Sequence, residues 1–164
     1  MEISIQVFTS IYSLRKTNKV SSKQKLDKEG AIYMSQEKER AVEEGHYALA
    51  VEHNGLLHIS GQLPIDMQTK KVVGETFSDQ AKQALRNIYD ILKKSNLEKE
   101  NVVKCRVYLS DIKYWSEFND IYIDFFKDHK PARVVIPSGQ FFDGVFIEIE
   151  ATAAVEGVLK IKTG

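Results

Sequence analysis

From Val145 to Val155 the side chains alternate in phase: Ile147, Ile149, Ala151, Ala153 and Val155 fall on one side, and Phe146, Glu148, Glu150, Thr152 and Ala154 on the other. A period of two is the mark of a strand, whose successive side chains point to opposite faces of a sheet. One face is wholly apolar and has to be covered. The other mixes apolar groups with two carboxylates: it is either solvated or buried by identical subunits, and its composition suits an interface that contains a polar cleft. The rest of the chain must therefore supply further strands and a layer to cover them.

It does so from Gly45 onward. Tyr47 to Glu52 reads as a strand, His53-Asn54-Gly55 as a turn, and Leu56 to Ser60 as the returning strand, ended by Gly61 and Pro64. Thr76 and Asp79 fit a capping box. After it Ala81, Ala84, Leu85, Ile88, Ile91 and Leu92 follow helical spacing, with Asn96 as a stop. Val103, Cys105, Val107 and Leu109 alternate with Lys104, Arg106 and Tyr108, as in a strand with one buried face. Trp115, Phe118, Ile121, Tyr122 and Phe125 make a second helix, and Pro131 lies beyond its end. Arg133 to Ile136 is a strand, followed by Asp143-Gly144 and the long alternating run. The expected fold is α/β of the α+β kind: β-β-α-β-α-β-β, a mixed sheet with both helices on one face.

Residues 1–44 read as a flexible N-terminal extension and 45–164 as a single domain. In the extension only Ile3, Ile5 and Val7 alternate as a strand would, and Ser13 to Gly30 is linker-like, rich in Lys, Ser and Thr. Residues 1–33 hold six basic and three acidic residues, and the stretch Ile3 to Leu26 is basic, rich in hydroxyls and nearly acid-free, as organellar transit peptides are. Met34 offers an internal start, and the expectation is that residues 1–33 are dispensable.

Charge and cysteine content narrow the function. Lys plus Arg and Asp plus Glu both number 23, so the net charge is zero, which counts against nucleic acid or an anionic membrane as partner. The single cysteine, Cys105, precludes an intramolecular disulfide and fits a reducing compartment, the cytoplasm by default. No apolar run approaches the roughly 18 residues of a membrane span. The four histidines, His46, His53, His58 and His129, lack metal-ligand spacing.

Taken singly, the charged residues suggest nothing beyond structure. Glu148 and Glu150 share one face of a strand, as do Lys104 and Arg106, and a cross-strand charge ladder accounts for all four. Arg133 reads as a surface arginine at a strand start, and Ser60-Gly61-Gln62 as a turn. Their order carries more information. Tyr47, Ser60-Gly61-Gln62-Leu63-Pro64, Asn87, Asn101-Val102-Val103-Lys104, Phe118-Asn119, Tyr122, Lys130-Pro131-Ala132-Arg133 and Glu148-Ile149-Glu150-Ala151 together resemble the RidA/YjgF family over Gly45 to Val155.

The resemblance implies a chorismate-mutase-like fold, a homotrimer with clefts between subunits, and hydrolysis of reactive enamines and imines such as 2-aminoacrylate to 2-keto acids and ammonia. Arg133 matches the family arginine that clamps the substrate carboxylate, which a planar guanidinium does with two parallel hydrogen bonds. Glu148 matches the glutamate that positions and deprotonates water. Tyr47, Ser60, Gly61 and Asn119 match residues lining the pocket, and no metal or organic cofactor is implied. The chain departs from the family pattern at His46, Ala48, Leu49 and Val135, and in the loop Pro137 to Gly144, which bears on pocket shape. A non-catalytic trimer that binds small carboxylates is the alternative to a deaminase; a ribonuclease or translation-inhibitor role is disfavoured by the neutral charge.

Spacing poses one difficulty. If Asp143-Gly144 closed a two-residue hairpin, Arg133 would lie six residues from the partner of Glu148, roughly 20 Å away. Either the loop is longer and the register different, or the two groups meet across a subunit boundary.

Overall fold

The chain divides into two units, Met1–Glu39 and Arg40–Gly164. The structure, a computed structural model, describes residues 46–142 and 144–155 together with two short strands nearer the N-terminus. Those strands are β1 (Gln24–Leu26) and β2 (Ile32–Met34), paired antiparallel with Lys25 opposite Tyr33. The linker-like reading of Ser13 to Gly30 did not anticipate the β1 strand. The expected strand at Ile3, Ile5 and Val7 lies outside the described residues.

The second unit follows the expected order: β3 (Ala50–His53), β4 (Leu56–Gln62), α1 (Phe77–Lys94), β5 (Val102–Leu109), α2 (Trp115–Phe126), β6 (Ala132–Pro137) and β7 (Ile147–Ala154). Local chemistry sets these boundaries. Asn54 and Gly55 both have positive φ, 52° and 71°, the backbone that a two-residue hairpin between β3 and β4 needs. Thr76 caps α1 by accepting from the Asp79 amide, and its hydroxyl donates to the Asp79 carboxylate at 2.7 Å. Asn96, just past α1, takes a left-handed φ of 56°.

The five strands stand in the order β3-β4-β7-β5-β6. β7 is antiparallel to both β4 and β5, whereas β6 runs parallel to β5. The last strand thus enters the middle of the sheet, and β6 and β7 are not neighbours. Both helices serve as crossovers between parallel strands and lie on one face. The core between the layers is built from Ala81, Leu85, Ile88 and Leu92 of α1, Phe118 of α2, Cys105, Val107 and Leu109 of β5, and Ile147, Ile149, Ala151 and Ala153 of β7. At ~1.5–3 kcal/mol for each fully buried aliphatic or aromatic side chain, this layer is what holds the helices to the sheet.

Two buried amides tie the loops to α1. Gln80 donates to the Gly74 and Gly144 carbonyls, at 3.1 and 2.6 Å, and accepts from the Phe146 amide at 2.9 Å, which fixes the approach to β7. Asn87 donates to the Leu63 and Ile65 carbonyls, at 2.9 and 2.8 Å. Replacing either amide by an apolar residue would remove these ties and leave partly buried carbonyls without their donors.

Candidate functional site

The open face of the sheet carries the carboxylates. On β7, Glu148 stands opposite Tyr108 and Glu150 opposite Arg106, while Lys104 faces Thr152. The two glutamates therefore differ in their surroundings. Glu150 accepts from Arg106 Nη1 at 2.6 Å, which satisfies it. Glu148 has no hydrogen bond or ion pair among the described residues. It is half-buried, and desolvation, followed by the neighbouring Glu150 charge, holds its carboxyl above the ordinary carboxylate range. The charge ladder read from the sequence is real for Arg106 and Glu150 and does not extend to Glu148.

A bulge in β4 makes room for this carboxylate. Ile59 pairs with Ala151 and Gln62 with Ile149, so Ser60 and Gly61 together oppose Glu150. Gln62, which is 4 % exposed, turns its amide back to donate to the Ser60 carbonyl at 2.8 Å and braces the bulge from within. Gly61 lies directly beneath the Glu148 side chain. A Cβ there would overlap Glu148 Oε1 and come within 2.8 Å of its Cδ. The reading of Ser60-Gly61-Gln62 as a turn that ends the strand is thus corrected: β4 runs on through Gln62, and glycine is required by close approach. Ser60 donates its backbone amide to the Leu49 carbonyl at 3.0 Å and its hydroxyl to the Ala48 carbonyl at 2.7 Å. These bonds hold the segment before β3, in which Tyr47 is 63 % exposed. That segment was expected to be strand; β3 begins only at Ala50.

Arg133 belongs to a second group of residues. It lies on the edge strand β6, beside Cys105 in the parallel register, on the face that the helices cover. Its Nη2 donates to Asn119 Oδ1 at 3.0 Å, and its Cζ sits 4.6 Å from the centre of the Tyr122 ring. Asn119 and Tyr122 are three apart on α2 and share a helix face. Burial pushes the Cys105 thiol, beneath this group, up to about 11, so it is not a thiolate at neutral pH.

The structure therefore assembles the expected residues into two groups. Glu148 lies on the open face over Gly61, next to Ser60 in the bulge, and Arg133 and Asn119 lie at the edge on the helix side; Tyr47 is exposed in the segment that Ser60 holds and contacts neither group. Arg133 is level with Cys105 and Ala151, three residues from Glu148 along β7. With β5 between β6 and β7, the separation within one chain is roughly 10 Å across the strands and roughly 10 Å along them. The hairpin on which the spacing difficulty rested does not form, yet Arg133 and Glu148 do not meet within one chain. The braces Gln62 and Tyr122 were assigned no role from sequence. Tyr122 carried the only available signal, since it falls one helical turn after Asn119.

A mixed sheet under two helices, with a carboxylate seated on a bulge and an arginine at the far edge, defines a small α+β protein of the chorismate-mutase-like kind. The chain belongs to the RidA/YjgF family: the family model described as Endoribonuclease L-PSP matches residues 38–155. A RutC family protein of Aquifex aeolicus is 44% identical over 111 residues, covering 66% of this chain and 88% of that one. The human 2-iminobutanoate/2-iminopropanoate deaminase is 38% identical over 115 residues, covering 70% and 83% of the two chains. Among solved structures, E. coli TdcF with bound serine is 28% identical and aligns with a TM-score of 0.63, covering 68% of this chain and 89% of that one. No helix among the described residues is long and apolar enough to cross a membrane.

Proposed function

We propose that this protein hydrolyses 2-imino acids and their enamine tautomers, of the 2-aminoacrylate type, to 2-keto acids and ammonia. The observation that carries the reading is Glu148: a half-buried carboxylate with its pKa raised, without any partner among the described residues, beside a satisfied twin. A general base works best when its pKa lies close to the operating pH, and desolvation moves Glu148 that way. Glu148 takes a proton from water as the oxygen attacks the electrophilic imine carbon. Glu148 returns that proton to the nitrogen of the resulting carbinolamine, which collapses to the ketone as its hydroxyl loses a proton and ammonia leaves. Arg133 holds the substrate carboxylate through the donors that Asn119 leaves free, fixing the imine carbon in front of the water. No metal or cofactor takes part.

Because Arg133 and Glu148 do not meet in one chain, each site combines Arg133 of one copy with Glu148 of another in a homotrimer. The exposed apolar residues Tyr47, Leu49, Val51 and Val134 suit such an assembly. The human relative's name and the serine bound by TdcF support a small amino-acid-like ligand. The single buried thiol fits a cytoplasmic protein. Ammonia release from 2-iminobutanoate, generated in solution by an amino-acid oxidase, tests the reading. Acceleration by the purified protein supports it, and binding of 2-oxobutanoate with no acceleration would assign the protein instead as a carboxylate-binding module.

A further inference from the structure

The guanidinium of Arg133 has one hydrogen bond to the protein among the described residues, from Nη2 to Asn119. One bond leaves a long side chain free to swing about that contact. The other constraint is the Tyr122 ring, 4.6 Å from Arg133 Cζ. That ring is itself immobilised. It is the middle of a ladder along α2, with Phe118 at 5.6 Å and Phe126 at 4.6 Å between ring centres. Tyr122 is 7 % exposed, and its buried hydroxyl has no hydrogen-bond partner among the described residues. The polar neighbour of that hydroxyl is the weakly bonding Cys105 thiol, and the ring face, which a phenylalanine would share, lies against the Arg133 cation.

We propose that Tyr122 is a positioning residue for the carboxylate clamp, presenting the ring face that sets the orientation of the Arg133 guanidinium. The inference rests on reading Arg133 as that clamp. Tyr122 does not touch the substrate; it acts by limiting the conformations from which Arg133 must be recruited, so its effect falls on binding.

The test measures the affinity for 2-oxobutanoate, the affinity for 2-oxobutanamide, and the KM and kcat for 2-iminobutanoate in the full-length protein. Tyr122→Leu should weaken 2-oxobutanoate binding and raise KM by roughly 3- to 30-fold, leaving kcat within about twofold. Tyr122→Phe should restore both, and the amide, which lacks the charge to be clamped, should bind all variants alike. Should the Leu variant fold poorly, fluorinated phenylalanines at position 122 weaken the ring face with little change of shape, and affinity for 2-oxobutanoate should fall stepwise with fluorination. Equal affinity across the fluorinated series, or an equal loss for acid and amide, would overturn the proposal. Arg133→Ala separates the two levels: if it leaves 2-oxobutanoate binding intact, the clamp reading itself has failed.

Discussion

The Glu148 carboxylate occupies the space that a Cβ on Gly61 would need. Gly61 is therefore part of how the carboxylate is placed, and the bulge that contains it is part of the site. The obstructed atoms are the far end of a flexible side chain, so Gly61→Ala should move Glu148 at little cost to the fold. Turnover of 2-iminobutanoate should fall at least ~10-fold, since misplacing a general base forfeits part of its ~10²–10⁴-fold contribution. Steady-state kinetics beside a thermal melt checks this. Normal turnover in the Gly61→Ala variant would show that the carboxylate does not work from this position.

Glu150 stands next to Glu148 on the same face and is paired with Arg106. Its charge is one of the two causes that raise the Glu148 pKa. Glu150→Gln removes a like charge and frees Arg106, and both changes favour the ionised form of Glu148. The acid limb of kcat/KM should then move to lower pH, with the plateau rate nearly unchanged. A pH profile of both proteins decides the point; an acid limb that stays in place or moves up would mean that Glu148 does not set it.

Tyr122 carries a buried hydroxyl whose polar neighbour is the weakly bonding Cys105 thiol, and a hydroxyl so poorly satisfied adds little stability. Tyr122→Phe should leave the unfolding free energy unchanged or raise it by up to about 1 kcal/mol, measured by urea denaturation. A loss larger than that would reveal a hydrogen bond made by the hydroxyl in the assembled protein.

The division at Glu39 and Arg40 suggests that the sheet of the second unit is sufficient by itself. A chain beginning at Met34, which removes β1 and all of β2 but its last residue, should keep its α1-to-β7 fold and melt within a few degrees of the full-length protein. A large drop in melting temperature would show that residues 1–33 contribute to the core.

Elements with local signatures were legible in the sequence. Asn54-Gly55 specified the hairpin, Thr76 and Asp79 the start of α1, and the alternation of β7 and of Cys105 to Leu109 their buried faces; at the start of β5 the register shifts and Val102 is buried in place of the expected Val103. The β4 bulge was not legible, because Ser60-Gly61 reads equally well as a turn and its reason is a contact with Glu148, far along the chain. The insertion of β7 between β4 and β5 was also hidden, since periodicity fixes which face a residue takes and not which strand it pairs with. Hence the sequence named both Arg133 and Glu148, while their placement on opposite faces emerged only from the topology.

The central claim is that Glu148 acts as the base and Arg133 as the clamp. Arg133→Lys, which keeps the charge and loses the fork, should raise KM at least ~10-fold, and Arg133→Ala should lower kcat/KM roughly 10²-fold. The most direct measurement is ammonia release from 2-iminobutanoate by Glu148→Gln, with 2-oxobutanoate binding followed in parallel. Glutamine keeps the shape and cannot take the proton. kcat should fall by ~10²–10⁴-fold with binding intact. Wild-type turnover in Glu148→Gln, or a loss found in Glu150→Gln instead, would contradict the claim.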